Sequence, residues 1–275
     1  MTREFHRPAT IAAALTLKRS LGGDAAFLAG GTLVNSRRFA GRPGHLISLA
    51  ALDLDRIEVR PGQIALGATV TLQALVDAPG LPATLRQAAL LVGNRNIRNQ
   101  ATLGGQIGAA EPHGALLPTL LALEASVVED DGLAARDRSL EAVLESGLEG
   151  ILSWIHLPVS LGSRGAGLAR YARTAADLSL LHAAVSLGRS GDRVDRPIVA
   201  FVGIGPRATR LAAVEEALAD ARMPDPAAIA AVVENAVDPA FDVRGSAQFK
   251  RYMAGVLVAD ALARAWKAAS EEAGR

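Results

Sequence analysis

The sequence predicts an α+β fold divided into two or three modest domains, and three observations lead there. The chain has 275 residues and half of them are apolar, more than one minimal core needs and too little for several large ones. Runs of strand-like alternation are interleaved with runs of helical period along its length. No internal repeat or low-complexity tail breaks that pattern.

The elements follow in order. Thr10 is placed to cap a helix whose apolar stripe is Ile11, Ala14, Leu15 and Leu17, with Gly22-Gly23 as its stop. Residues 25–29 read as a strand entering a tight loop at Gly30-Gly31-Thr32, and Leu46-Ile47-Ser48-Leu49 as a second strand. This opening unit is expected to end near Asp55. Residues 56–60 alternate, Pro61-Gly62 turns, and residues 63–68 return, which is a hairpin signature. Thr71 caps one helix and Pro82 opens another through Val92. A polar loop is expected over residues 93–100, then a Gly-rich bend at Gly104-Gly105, then a helix around residues 118–123. Residues 125–129 and 151–157 read as strands. The segment 162–167, Gly-Ser-Arg-Gly-Ala-Gly, is the best linker candidate. Beyond it, residues 177–187 read as a helix or a strand, and a hairpin is expected around Ser190-Gly191. A strand over residues 197–204 and helices over 209–221, 226–236 and 246–269 complete the chain.

Bulk chemistry removes several classes of function. With 29 Lys+Arg against 28 Asp+Glu, no generalised basic surface for nucleic acid is expected. The chain has no cysteine, so it can carry neither a disulfide nor a thiolate-held cluster or zinc. That composition suits a cytoplasmic address. Residues 1–8 lack the apolar core of a secretory signal, and the most apolar stretch, residues 114–128, is shorter than the roughly 20 residues of a membrane span.

Two segments offer chemistry. A diphosphate needs several backbone N–H groups with no side chain in the way, and Ala29-Gly30-Gly31-Thr32-Leu33 supplies paired glycines with a hydroxyl beside them. Ala101-Thr102-Leu103-Gly104-Gly105 repeats that offer, with Arg98 and Asn99 nearby as donors. Either segment alone reads equally well as an ordinary turn; together they could hold one dinucleotide from both sides.

Those two segments, with Phe5-His6-Arg7-Pro8, Leu66-Gly67-Ala68, Leu117-Pro118, Ile155-His156-Leu157-Pro158 and Phe249-Lys250-Arg251-Tyr252, resemble the FAD-binding medium subunits of molybdenum hydroxylases, the carbon monoxide dehydrogenase and xanthine dehydrogenase type. The likeness runs through nearly the whole chain in order. It implies a two-part FAD-binding domain, a small α/β unit (residues 1–55) and a larger α+β unit (56–163), followed by a C-terminal domain of sheet and helices (164–275). It further implies that Ala29, Gly30, Gly31, Thr32 and Leu33 meet the FAD diphosphate from one side and Ala101, Thr102, Gly104 and Gly105 from the other. Leu152 or its neighbour Ile151 would touch the adenine or ring surface, and Arg170 would stand near the flavin. The implied partners are a large subunit with the molybdenum cofactor and a small iron–sulfur subunit, whose electrons FAD passes to an external acceptor. No catalytic acid or base is expected in this chain.

One position departs from the family pattern. Where the family reads Pro-x-Gly-Asp, this chain has Pro112-His113-Gly114-Ala115, so an acid near the flavin is replaced by Ala115. A non-catalytic assembly subunit and a stand-alone flavin oxidoreductase are the alternative readings. Gly203-Ile204-Gly205-Pro206-Arg207-Ala208 matches a dinucleotide fingerprint, but no second strand and acid follow it, so a tight turn is expected. The five histidines show no metal-ligand spacing, and His156 is expected as a satisfied core residue.

Overall fold

The computed structural model describes residues 4–36, 41, 43–158, 164–174, 177 and 179–272. It contains three sheets. The first is parallel, in the order β1-β3-β2, from Glu4–His6 (β1), Ala25–Leu28 (β2) and His45–Ser48 (β3), with helix Ile11–Leu21 (α1) packed on it. Ala14, Leu15, Ala25 and Ile47 form its core.

The second sheet is antiparallel, in the order β4-β5-β8-β6-β7, built from Ile57–Arg60, Gln63–Gly67, Ser126–Asp130 (β6), Ala135–Ser139 (β7) and Ile151–Pro158 (β8). Its helices are Leu72–Asp77 (α2), Ala83–Leu90 (α3), Arg95–Arg98 (α4), Leu103–Ala109 (α5), Leu116–Ala122 (α6) and Leu140–Ser146 (α7). The third sheet runs β12-β11-β10-β9, from Gly165–Tyr171 (β9), Leu181–Ser190 (β10), Arg193–Val202 (β11) and Thr209–Arg210 (β12), all antiparallel. Helices Ala212–Leu218 (α8), Pro226–Ala236 (α9) and Ala247–Glu272 (α10) accompany it.

The helix starts share one device. The side chains of Thr10, Thr71, Asn94, Thr102 and Ser139 each accept a hydrogen bond from the amide three residues on, satisfying a donor that the first turn otherwise leaves open. Two of these caps alter the sequence expectation. The polar loop at 93–100 contains α4, and the Gly-rich bend is the first turn of α5. Glycine argued for a loop there, but the Thr102 cap and surrounding packing override its poor helix propensity.

The linker expectation is also corrected. Gly162 and Ser163 lie outside the described residues, but Arg164 is buried and Gly165 and Gly167 belong to β9. A Cβ at Gly165 would stand 1.9 Å from the Ala265 carbonyl oxygen, and one at Gly167 would stand 2.3 Å from that of Ala261. These glycines let α10 lie directly on the strand. Residues 177–187, open between helix and strand in the sequence, become β10 from Leu181. His156 is not a core residue: it is part-exposed on β8, with Nδ1 3.7 Å from the Asp137 carboxylate. The fingerprint at Gly203 follows an antiparallel strand and leads into β12, which excludes a βαβ unit there.

The third sheet is covered on both faces. Leu181, Ala183, Val185 and Leu187 of β10 pack with α9 and α10. Alternate residues face the other way, where Ala184 joins the core containing α6 and Ser186 Oγ donates to the Ala122 carbonyl at 2.6 Å. Arg164, one residue before β9, donates within the sheet to Ser186 Oγ at 3.0 Å and to the Arg196 carbonyl at 2.6 Å, and reaches across the interface to the Glu124 carboxylate at 4.0 Å. Every residue of α6 is buried. Each of its leucines contributes about 1.5–3 kcal/mol on burial, so α6 is a core element shared by the second and third sheets.

His182 on β10 is fully buried, and neither ring nitrogen has a partner among the described residues. Burial, reinforced by the Arg170 charge, pulls its pKa down to about 3.

Two expected outcomes follow from this packing. Gly167→Ala should lower unfolding stability by about 1–3 kcal/mol, while Gly205→Ala, which meets open space, should leave the urea midpoint unchanged; equal midpoints for both would refute the close-packing account. For His182 the ring is neutral in both states above the unfolded pKa of 6.5. Below it the unfolded chain alone takes up the proton. Stability should therefore fall by about 1.4 kcal/mol per pH unit from this ring, down towards pH 3. His182→Leu should remove that share of the slope between pH 6.5 and 5.5, as measured by urea unfolding; an unchanged slope would mean the ring is protonated or solvated in the fold.

Candidate functional site

The first glycine pair sits where β2 ends. Gly30 is pressed against the second glycine segment: a Cβ there would lie 1.7 Å from the Gln100 carbonyl oxygen and 3.2 Å from Ala101 Cα. Gly31 follows with φ +70°, the left-handed region that favours glycine. The chain then turns back on itself, with the Asn35 amide donating to the Gly31 carbonyl at 3.2 Å and that of Ser36 to Leu33 at 2.8 Å. Among the described residues, the amides of Gly30, Gly31, Thr32, Leu33 and Val34 donate to no protein acceptor, and these residues are only half-buried. A run of open amides on a tight turn is an anion-binding concavity.

The second segment differs in kind. Its amides are already engaged: Leu103 donates to Val70 at 2.9 Å, Gly104 to Ala68 at 2.8 Å and Gly105 to Thr102 Oγ1 at 3.1 Å. Ala101 and Thr102 are buried, and a Cβ on Gly104 would meet Ala68 at 2.8 Å. Of the amides of residues 101–105, that of Thr102 alone has no acceptor among the described residues. The segment offers bare surface, since Gly105 and Gly108, one helical turn apart on α5, are both exposed. Arg98, expected as a ligand donor, instead braces its own loop through Gln73 Oε1 at 3.1 Å and the Gly93 carbonyl at 2.9 Å.

The remaining expected positions lie elsewhere. Leu152 is 5% exposed and belongs to the core of the second sheet, so its side chain is engaged in packing. Arg170 lies on β9 across from His182 in register. Ala115 is buried at the start of α6. Two residues before it, the His113 ring bonds the Leu180 backbone, yet its buried Nδ1 has no partner among the described residues. Burial, then Arg244, lowers the His113 pKa. The Ser179 hydroxyl, next to Leu180, is likewise buried without a partner among the described residues. His113, Ser179 and His182 thus mark a seam between the α5–α6 connection and the start of β10 that sequence spacing could not reveal. A further grouping also escaped the sequence: Glu4, His6 and His45 converge on one another.

Comparison with known proteins agrees with this architecture. The family model described as the FAD binding domain in molybdopterin dehydrogenase matches residues 1–159. The CO dehydrogenase flavoprotein C-terminal domain matches residues 168–265. The Escherichia coli K12 protein YgfM is 35% identical, covering 98% of this chain and 99% of its own. The carbon monoxide dehydrogenase medium chain of Afipia carboxidovorans is 32% identical over 95% and 96%. Among solved structures, carbon monoxide dehydrogenase from Hydrogenophaga pseudoflava superposes with a TM-score of 0.89 at 27% identity, over 97% of this chain and 98% of that one. Quinoline 2-oxidoreductase from Pseudomonas putida 86 shares the fold, with a TM-score of 0.84 at 22% identity over 99% and 98%. No described helix is long and apolar enough to cross a membrane. A two-part N-terminal unit, a C-terminal sheet covered by α9 and α10, and matches spanning both place the chain in the molybdenum hydroxylase family, as an FAD-binding medium subunit of the carbon monoxide dehydrogenase type.

Proposed function

We propose that this chain is the electron-transfer subunit of a molybdenum hydroxylase complex, holding FAD with its diphosphate on the amides of residues 30–34. One observation carries the reading: Gly30 brings that turn into backbone contact with Gln100 and Ala101, while five successive amides have no acceptor among the described residues. Open N–H groups on a rigid turn match a diphosphate in charge and spacing, and no side chain at Gly30 or Gly31 obstructs approach. Thr32 adds a hydroxyl donor. The exposed, side-chain-free face at Gly105 and Gly108 suits a flat or extended part of the same molecule.

Bound FAD would supply reversible redox chemistry, taking electrons singly and releasing them in pairs. The chain's own task is to bind, orient and shield. Its described carboxylates with lowered pKa, Glu129, Asp131 and Asp242, are held by local amides or by Arg138, Arg136 and Lys250, as structural pairs are. We assign no residue here a catalytic acid or base role. The relatives named as a medium chain and as a complex subunit, the latter from 6-hydroxypseudooxynicotine dehydrogenase of Paenarthrobacter nicotinovorans at 29% identity, support assembly with a large molybdenum subunit and a small iron–sulfur subunit. A second reading, an assembly subunit with a weakened flavin site, rests on Ala115, which puts a buried methyl where the family carries an acid.

Flavin content and complex composition test this. Gly30→Ala should cut retained FAD more than tenfold, because forcing a methyl against the Gln100 carbonyl displaces the turn at about 1–3 kcal/mol or more. Gly23→Ala, which meets open space, should retain it. Flavin retained equally by both variants would overturn the assignment. Purified with its partners, the native complex should contain molybdenum, iron and flavin together; metal-containing complex without flavin would favour the assembly reading.

A further inference from the structure

We propose that Glu4, His6 and His45 form a binding site for a single late first-row divalent transition ion of the zinc type. The parallel pairing of β1 with β3 sets Glu4 opposite His45 and His6 opposite Ile47. Residues two apart on a strand share a face, so Glu4 and His6 point the same way and His45 joins them from the neighbouring strand. Their ligating atoms form a near-equilateral triangle: His6 Nε2 to His45 Nδ1 is 3.1 Å, His45 Nδ1 to Glu4 Oε2 is 3.5 Å, and His6 Nε2 to Glu4 Oε2 is 3.6 Å. A tetrahedral zinc with bonds of about 2.0–2.2 Å requires ligand separations of roughly 3.3–3.6 Å. Both Glu4 distances match it, and the two imidazole nitrogens need part by only about 0.2 Å.

Chemistry and surroundings agree with the geometry. Two imidazoles and one carboxylate are a donor set suited to zinc, and to the cobalt, nickel and copper ions near it in the affinity series. The imidazoles are held in place: the rings stack with centroids 5.4 Å apart and planes at 24°, and their side chains are only 21% and 15% exposed. The other nitrogen of His45 faces the Asp24 carboxylate at 3.9 Å, and Asp24 is itself anchored by the Gly44 amide at 2.8 Å. A carboxylate behind a ligating histidine orients the ring and strengthens it as a donor. Glu4 is the exposed member, which leaves the fourth position open to water.

The site is separate from the proposed flavin turn. Register pairs Ala25 with His45 at one end of the sheet and Leu28 with Ser48 at the other, and Gly30 and Gly31 follow Leu28. An ion at Glu4, His6 and His45 would clamp β1 to β3 at the opposite end. Its test therefore does not depend on flavin.

The test uses the untagged full-length chain, freed of metal by a chelator and titrated with Zn²⁺ by calorimetry and with Co²⁺ by visible spectroscopy. One equivalent of Zn²⁺ should bind, and Co²⁺ should develop the intense visible bands of a four-coordinate site. His6→Ala and His45→Ala should abolish both signals. Glu4→Gln, at an exposed position that leaves folding intact, should weaken Zn²⁺ binding at least tenfold, and Asp24→Asn should weaken it roughly 10–100-fold. Mg²⁺, which prefers six oxygen ligands, should not compete. A wild-type chain that binds Zn²⁺ no more tightly than Glu4→Gln and the histidine variants would overturn the proposal, as would an unchanged stoichiometry in His6→Ala/His45→Ala.

Discussion

The contact between Gly30 and the Gln100 carbonyl is the constraint on which the site depends. A hydrogen in place of a methyl lets one backbone lie against another across a separation of 70 residues in the chain. The receiving backbone is itself fixed: Ala101 donates to the Ile97 carbonyl at 2.7 Å and accepts from the Leu72 amide at 2.8 Å. Leu103 and Gly104 then bond to Val70 and Ala68, and the Ala68 amide reaches the Ser153 carbonyl at 3.0 Å. The turn after β2 is therefore referenced to β8 through a short series of backbone contacts. Orientation by main chain is stiffer than orientation by side chain, which suits the proposed role of this loop, to present amides in fixed positions.

This dependence explains why the two glycine pairs, so alike in sequence, play different parts. Gly30-Gly31 makes a turn with open amides. Gly104-Gly105 begins a helix whose amides are closed by Val70, Ala68 and Thr102. Composition predicted a shared site and the contact exists, but the symmetry of roles does not. Which amides are open depends on where distant carbonyls fall, and no local pattern encodes that. Element starts were far more legible, because capping is local: Thr10, Thr71 and the Asp225-Pro226 start of α9 each carry their helix signal within three or four residues. The apparent linker at Gly165-Ala166-Gly167 misled for the opposite reason. Glycine there accommodates the α10 backbone rather than loosening the chain, and a single sequence does not distinguish these uses. The Glu4, His6 and His45 grouping was hidden in the same way, since the parallel pairing of β1 and β3 joins positions 39 residues apart.

The C-terminal sheet adds a different kind of surface. Its outer face is fully occupied by α9 and α10, and its inner face is closed on α6, where Arg164, Ser186 and the Ala122 carbonyl form a buried polar tie. Burying a guanidinium is costly unless it is well bonded, and Arg164 is held by Ser186 and the Arg196 carbonyl. Such a tie fixes the register of the two halves more tightly than apolar packing alone would.

That fixed register gives meaning to the groups left unsatisfied beside it. Leaving a buried polar group without a partner costs about 1–3 kcal/mol, and His113, Ser179 and His182 all carry atoms without a partner among the described residues, near the junction of the α5–α6 connection with β10. Burial keeps both histidines towards the neutral form, so the seam encloses uncharged donors and acceptors instead of fixed charge. Ala115, two residues after His113 and buried, adds no charge to the same stretch. The amides of residues 30–34 are the opposite case, open to a ligand on a half-buried turn. The two halves of the chain therefore differ in kind: the N-terminal turn carries unengaged backbone donors, whereas the junction with the C-terminal sheet is a neutral, closely packed wall.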